Sequence, residues 1–205
     1  MPEERERHFL EAFLDCGEAA IDLATDNEAV EAVPVVGTAF KLLRGIDDFR
    51  NRALVAKLQR FLASPELQSD RVRRRLKHGI ASSPEEASKI GESLFLVLDQ
   101  MTDLDKPCLL AKVFLAYLDD VISSVELRRI AHAMDSAFTD DLVLLSDWDA
   151  STNPRQAISW MLPLAGSGLT SVVTGQTMDD AGEVYYQLTE LGETLHRAFQ
   201  HAREV

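Results

Sequence analysis

The sequence predicts a mainly α protein: a multi-helix bundle, then a small α+β module with one β-hairpin. Three observations carry this. Apolar residues recur every three or four positions over most of the first 147 residues. Ser-Pro, Ser-x-x-Glu and Gly signals punctuate that pattern at helix ends. After Trp148 the texture changes, and two short runs rich in Val, Thr and Tyr flank an acidic turn.

The elements follow in order. Phe9, Leu10, Phe13, Leu14, Ala20, Ile21 and Leu23 give residues 3–24 a helical apolar face. Pro34 can open a helix in the segment Pro34-Val35-Val36-Gly37. A stripe of Phe49, Ala53, Leu54, Leu58, Phe61 and Leu62 predicts a helix ending near residue 63. Ser64-Pro65 reads as a cap plus first-turn proline that starts a basic helix through Lys77. Ser83-Pro84-Glu85-Glu86 starts the next, with Ala87, Ile90, Leu94, Val97, Leu98 and Met101 on one side. Asp103 to Pro107 breaks it. Helices are then expected over Leu109 to Leu118, after Ser123 with Glu126 as a capping box, and over about 140–147. Short polar turns between them argue antiparallel neighbours. The bundle domain is therefore drawn over 1–147 and the module over 148–205.

In the module, Asn153-Pro154 opens a helix from Arg155 to about Ala165, and Gly166-Ser167-Gly168 stops it. Leu169 to Thr174 and Glu183 to Leu188 read as strands around Asp179-Asp180-Ala181-Gly182. Thr189 caps a last helix bearing Leu195, Ala198 and Phe199. The order helix, Gly168-Leu169, hairpin, then Tyr186-Gln187-Leu188-Thr189-Glu190-Leu191-Gly192-Glu193-Thr194-Leu195 resembles the C-terminal part of bacterial winged-helix regulators of the MarR, PadR and HxlR kinds. The likeness covers about a quarter of the chain. It implies a winged-helix-like module in which Leu169, Tyr186 and Leu188 anchor the wing, and Gly192 lets the closing helix lie near a strand. The first 145 residues are similar to uncharacterised bacterial helical proteins through Pro34-Val35-Val36-Gly37, Lys41, Asp48, Arg50, Arg52, Lys57, Phe61 and Leu62. That similarity implies no activity.

The winged-helix likeness implies a DNA-reading helix over Arg155 to Ala165, with Arg155, Gln156 and Ser159 in the groove. The sequence departs from that role. The helix carries one cation, and the wing tip, Met178-Asp179-Asp180, would repel phosphates. A wing that faces protein fits better than one that faces DNA.

Charge is segregated. Residues 1–31 carry a net −8, residues 41–78 a net +7 and residues 79–205 a net −12, for −13 over 205 residues. That balance works against non-specific binding of nucleic acid by the whole molecule. The densest basic run contains Arg71, Arg73, Arg74, Arg75 and Lys77. It reads as a solvated face neutralised by acidic surface, as a contact for an acidic partner, or as a contact for nucleic-acid or lipid phosphate. No aromatic lies between Phe61 and Phe95, which disfavours a base-stacking surface.

No constellation for chemistry stands out. Among the five histidines none has the i, i+4 partner of a metal-binding helix, and the two cysteines form no C-x-x-C. Cys16 and Cys108 read as small buried residues of a reducing compartment. Asp103-x-Asp105 and Asp147-x-Asp149 could hold Mg²⁺, but both sit at helix ends, where aspartate caps. Gly166-Ser167-Gly168 lacks the Lys-Ser/Thr of a phosphate loop. No apolar run is long enough to span a bilayer.

The expectation is a non-enzymatic, cytoplasmic bacterial interaction or regulatory protein without a cofactor. A protein partner or self-association is expected, and no small-molecule ligand is indicated. Trp160 is a candidate partner anchor, with packing of Trp148 and Trp160 inside the protein as the plainer role. The alternatives are a DNA-binding winged-helix regulator or a membrane-active effector of a defence-type system. The effector would insert residues 33–43, although a membrane partner is disfavoured.

Overall fold

The computed structural model describes residues 49–72, 84–148, 159–174 and 183–205. Their elements are α1 (Phe49–Leu62), a 3-10 turn (Pro65–Leu67), α2 (Pro84–Gln100), α3 (Lys106–Leu118), α4 (Ser124–Ser136), α5 (Thr139–Asp147), α6 (Met161–Gly166), β1 (Thr170–Thr174), β2 (Val184–Leu188) and α7 (Glu190–Glu204). The described residues are mostly helical, with one two-stranded antiparallel sheet. The readings of residues 3–24, Pro34, Gly37, Ser83, the run 73–77 and the wing tip lie outside the described residues. The chain divides into compact units 1–111 and 112–205.

In the first unit, Leu54, Leu58, Phe61 and Leu62 form the buried stripe of α1. Ile90, Leu94, Val97 and Leu98 do the same on α2, which packs against α1, and Met101 is buried just beyond it. Lys57 is buried, and its Nζ donates to the Asp99 carbonyl oxygen at 2.8 Å. A cation there meets the negative end of the α2 dipole. Arg60 donates to the Leu104 carbonyl oxygen at 3.1 Å and pairs with Asp105.

Ser64-Pro65 starts less than its sequence promises. Ser64 makes no side-chain cap; its hydroxyl donates to the Arg60 carbonyl oxygen, and the proline opens a single 3-10 turn. Helix resumes at Asp70, where Ser69 Oγ accepts from the Val72 N–H at 3.3 Å. Ser64 is claimed by the helix before it and cannot cap the one after.

The second unit is built on tight local signals. After α3, Asp120 has φ 60°. The Asp120 N–H donates to the Tyr117 carbonyl and the Val121 N–H to Ala116. This is a Schellman end with aspartate where glycine is usual. Ser123 and Glu126 then form a full capping box on α4, at 2.6 and 3.3 Å. The same end motif closes α6: Gly168 has φ 77°, its N–H donates to Ala165, and the Leu169 N–H donates to Leu164.

The helix expected from Arg155 begins, among described residues, only at Met161, after a turn at 159–160. Pro163 explains the break at 159–160, and residues 155–158 lie outside the described residues. A helix already running through Ser159 would place the Pro163 ring against the Ser159 carbonyl. In the first turn of a helix the proline is harmless.

The strands pair from Thr170 with Leu188 to Thr174 with Val184. Thr170 is buried, and its hydroxyl donates to the Met161 carbonyl oxygen at 2.7 Å. Thr189 locks the hairpin base to α7. Its Oγ1 accepts from the Gly192 N–H at 3.1 Å and donates to the Gly168 carbonyl oxygen at 2.7 Å, and its N–H donates to Leu169. A Cβ on Gly192 would stand 1.9 Å from the Leu169 carbonyl oxygen, so only glycine admits this approach. Leu169 is fully buried, whereas Tyr186 and Leu188 are half-buried, so the hairpin hangs chiefly on one leucine.

Candidate functional site

The candidate surface belongs to the second unit, where α7 is the structural hub. Leu195, Ala198 and Phe199 bury its apolar face. Its polar face reaches three other segments. Arg197 lies 3.9 Å from Glu126 of α4, Arg203 pairs with Asp147 at the end of α5, and His201 Nε2 lies 2.9 Å from Asp119 Oδ2. His196 Nε2 lies 2.8 Å from the Trp148 carbonyl oxygen, and Gln200 donates to the same oxygen at 3.4 Å. The Trp148 ring lies 5.7 Å from the imidazole of His196 and 6.4 Å from Trp160, edge to face with the latter. Both tryptophans therefore contribute to the packing of this unit, and Trp160 is half-buried there.

Beside α7 lie elements without any cation. The described residues of α6, β1 and β2 carry no charge. Leu162 on α6 is 53% exposed, and Val172 and Val184 on the hairpin are each 49% exposed. Alternation fixes that hairpin face. Thr170, Val172 and Thr174 point to one side with their partners Leu188, Tyr186 and Val184. The base of this face is buried at Thr170, and its far end is open at Val172 and Val184.

One carboxylate, Glu183, directly precedes β2, and others lie on α4 and α5. Glu183 accepts a hydrogen bond from the Tyr185 hydroxyl at 2.5 Å. Asp140 and Asp141 stand in the first turn of α5. Burial, then the neighbouring charge of Asp140, pushes the Asp141 carboxyl above the ordinary aspartate range. The Ser123 backbone N–H, then its hydroxyl, holds the Glu126 carboxyl below the ordinary glutamate range, and Arg197 adds to this.

Of the residues singled out by sequence, Arg71 and Ser159 are exposed and Trp160 is half-buried. Arg71 lies in the first unit, and Ser159 and Trp160 in the second. Arg73, Arg74, Arg75, Lys77, Arg155 and Gln156 lie outside the described residues. Of the carboxylates weighed as Mg²⁺ sites, Asp103, Asp105 and Asp147 have other work, and Asp149 lies outside the described residues. Asp103 Oδ1 accepts from the Asp105 N–H at 2.8 Å, and Asp105 pairs with Arg60. Among the described residues, no three His, Cys, Asp or Glu side chains are grouped to hold a metal. None of the described helices is long and apolar enough to cross a membrane. Sequence reasoning missed the exposed Phe138, Val143 and Leu144, whose signal is an apolar pair between Asp140 and Asp147 at helical spacing. No protein-family model, curated protein or solved structure matches the chain.

Proposed function

We propose that the chain is a non-enzymatic interaction or regulatory protein of the bacterial cytoplasm, whose winged-helix-like C-terminal module meets protein rather than DNA. One observation carries the reading: the described strands and α6 offer phosphates no cation and offer solvent Leu162, Val172 and Val184. A wing that gripped DNA would lean on Lys and Arg contacts to the backbone. Half-exposed aliphatic side chains at a hairpin instead favour a surface that is covered by protein. The order of helix, hairpin and Thr189-capped helix supports the winged-helix-like assignment, as does the close approach at Gly192.

The test is anisotropy of labelled duplex DNA of mixed sequence at about 50 mM salt, where phosphate contacts are strongest. The reading predicts no saturable binding up to micromolar protein. Saturable binding that weakens steeply with added salt would replace it with a DNA-binding role.

A further inference from the structure

We infer that the outward face of α5 is a docking surface for a basic amphipathic helix of a protein partner. Asp140, Val143, Leu144 and Asp147 follow one another at the i, i+3, i+4, i+7 spacing and share one side of the helix. The opposite side buries Leu142, Leu145 and Ser146. Val143 and Leu144 stay 43% and 45% exposed, and Phe138, which precedes the first turn, is 70% exposed. A surface helix ordinarily turns its polar face outward. Here the outward face carries an aliphatic pair, with an aromatic ring at its leading end.

Charge complementarity names the occupant. Acids bracket the apolar pair: Asp140 and Asp141 before it, and Asp147, already paired with Arg203, after it. Asp140 and Asp141 adjoin each other, and burial, then the charge of the first, makes ionisation of the second harder. Lysine or arginine brought beside them would relieve that repulsion. A helix with leucine-type residues on one stripe and cations along its borders satisfies both features at once. Duplex DNA supplies neither the cations nor the apolar stripe.

This inference rests on the reading of the chain as an interaction protein, but it concerns a different element from the hairpin. Its probe is a labelled 16-residue helical peptide with leucines at i, i+3, i+4 and i+7 and lysines elsewhere. A counterpart carries glutamates for the lysines. Anisotropy is read on the full chain, with far-UV circular dichroism confirming that each variant is folded. The lysine peptide is expected to bind at least tenfold more tightly than its counterpart. Val143→Ser/Leu144→Ser and Asp140→Asn/Asp141→Asn should each weaken it about tenfold. Glu190→Gln/Glu193→Gln, which removes two exposed acids of α7, should change it less than twofold.

Equal binding by the α5 variants and wild type overturns the docking surface. If Val172→Ser/Val184→Ser alone loses binding, the hairpin is the contact: the α5 inference fails and the interaction reading survives. Self-association through the α5 face, without peptide binding, also overturns the choice of occupant. Failure of the interaction reading itself would appear separately, as saturable DNA binding.

Discussion

Replacing Gly192 with alanine is expected to destabilise the chain by about 2–4 kcal/mol. The added Cβ would stand 1.9 Å from the Leu169 carbonyl oxygen and 3.0 Å from its carbon, where ordinary contact begins at 3.4 Å. The obstacle is backbone, so α7 and the start of the hairpin must part by roughly 1 Å or more. The Thr189 N–H donates to that oxygen at 3.0 Å, and the Thr189 hydroxyl, whose proton goes chiefly to the Gly168 carbonyl, also lies 3.2 Å from it. Losing the amide bond costs about 1 kcal/mol, and disturbing the shared hydroxyl bond up to about 1 kcal/mol more. Loosened packing around fully buried Leu169, Leu195 and Phe199 adds about 1–3 kcal/mol. Alanine returns at most about 1 kcal/mol of helix propensity. Urea unfolding followed by circular dichroism measures the difference. Gly166→Ala is the control, because nothing lies within 4 Å of a Cβ built there; it should be neutral or slightly stabilising. A Gly192→Ala chain within about 0.5 kcal/mol of wild type would refute the close approach of α7 to Leu169.

Four further outcomes are expected. Ser123→Ala should cost about 1 kcal/mol in the same assay, since it removes the cap on α4. The folded state holds the Glu126 carboxyl below its ordinary range, so its contribution is full above that range and is lost as pH falls through the lowered value. Glu126→Gln should therefore flatten the acid limb of the stability profile below about pH 5. Burial and Asp140 raise the Asp141 carboxyl, so the cost of its charge is absent in acid and full above the raised value; carboxyl-carbon NMR should show Asp140→Asn shifting the Asp141 titration to lower pH. Asp120→Gly should stabilise by about 0.5–1 kcal/mol, because glycine suits a φ of 60° at a helix end, and urea unfolding would show it.

What the sequence reveals here is what is decided within a few residues. The Ser123–Glu126 box, the cap at Thr189 and the closeness demanded of Gly192 are all readable, because each depends on short spacing. Ser64 misleads because two neighbouring segments compete for one hydroxyl. The break at 159–160 ahead of α6 was readable in principle from Pro163, whose ring opposes a helix running through Ser159. The long-range contacts of α7 were not. His196 meets a carbonyl 48 residues away, and His201 meets Asp119 across 82. Nothing local to either histidine encodes its partner. The exposed pair on α5 was hidden for the opposite reason: a short apolar helix reads as core until burial shows which of its sides is covered.

The most direct measurement is site-specific photo-crosslinking in the native host, with a photoreactive residue at position 172, at 184 or, as control, at 193. The account predicts a discrete protein adduct from 172 and 184, lost when Leu162→Ser is added, and none from 193. Adducts to nucleic acid from the hairpin positions, or the same protein adducts from all three, would contradict a protein-facing wing.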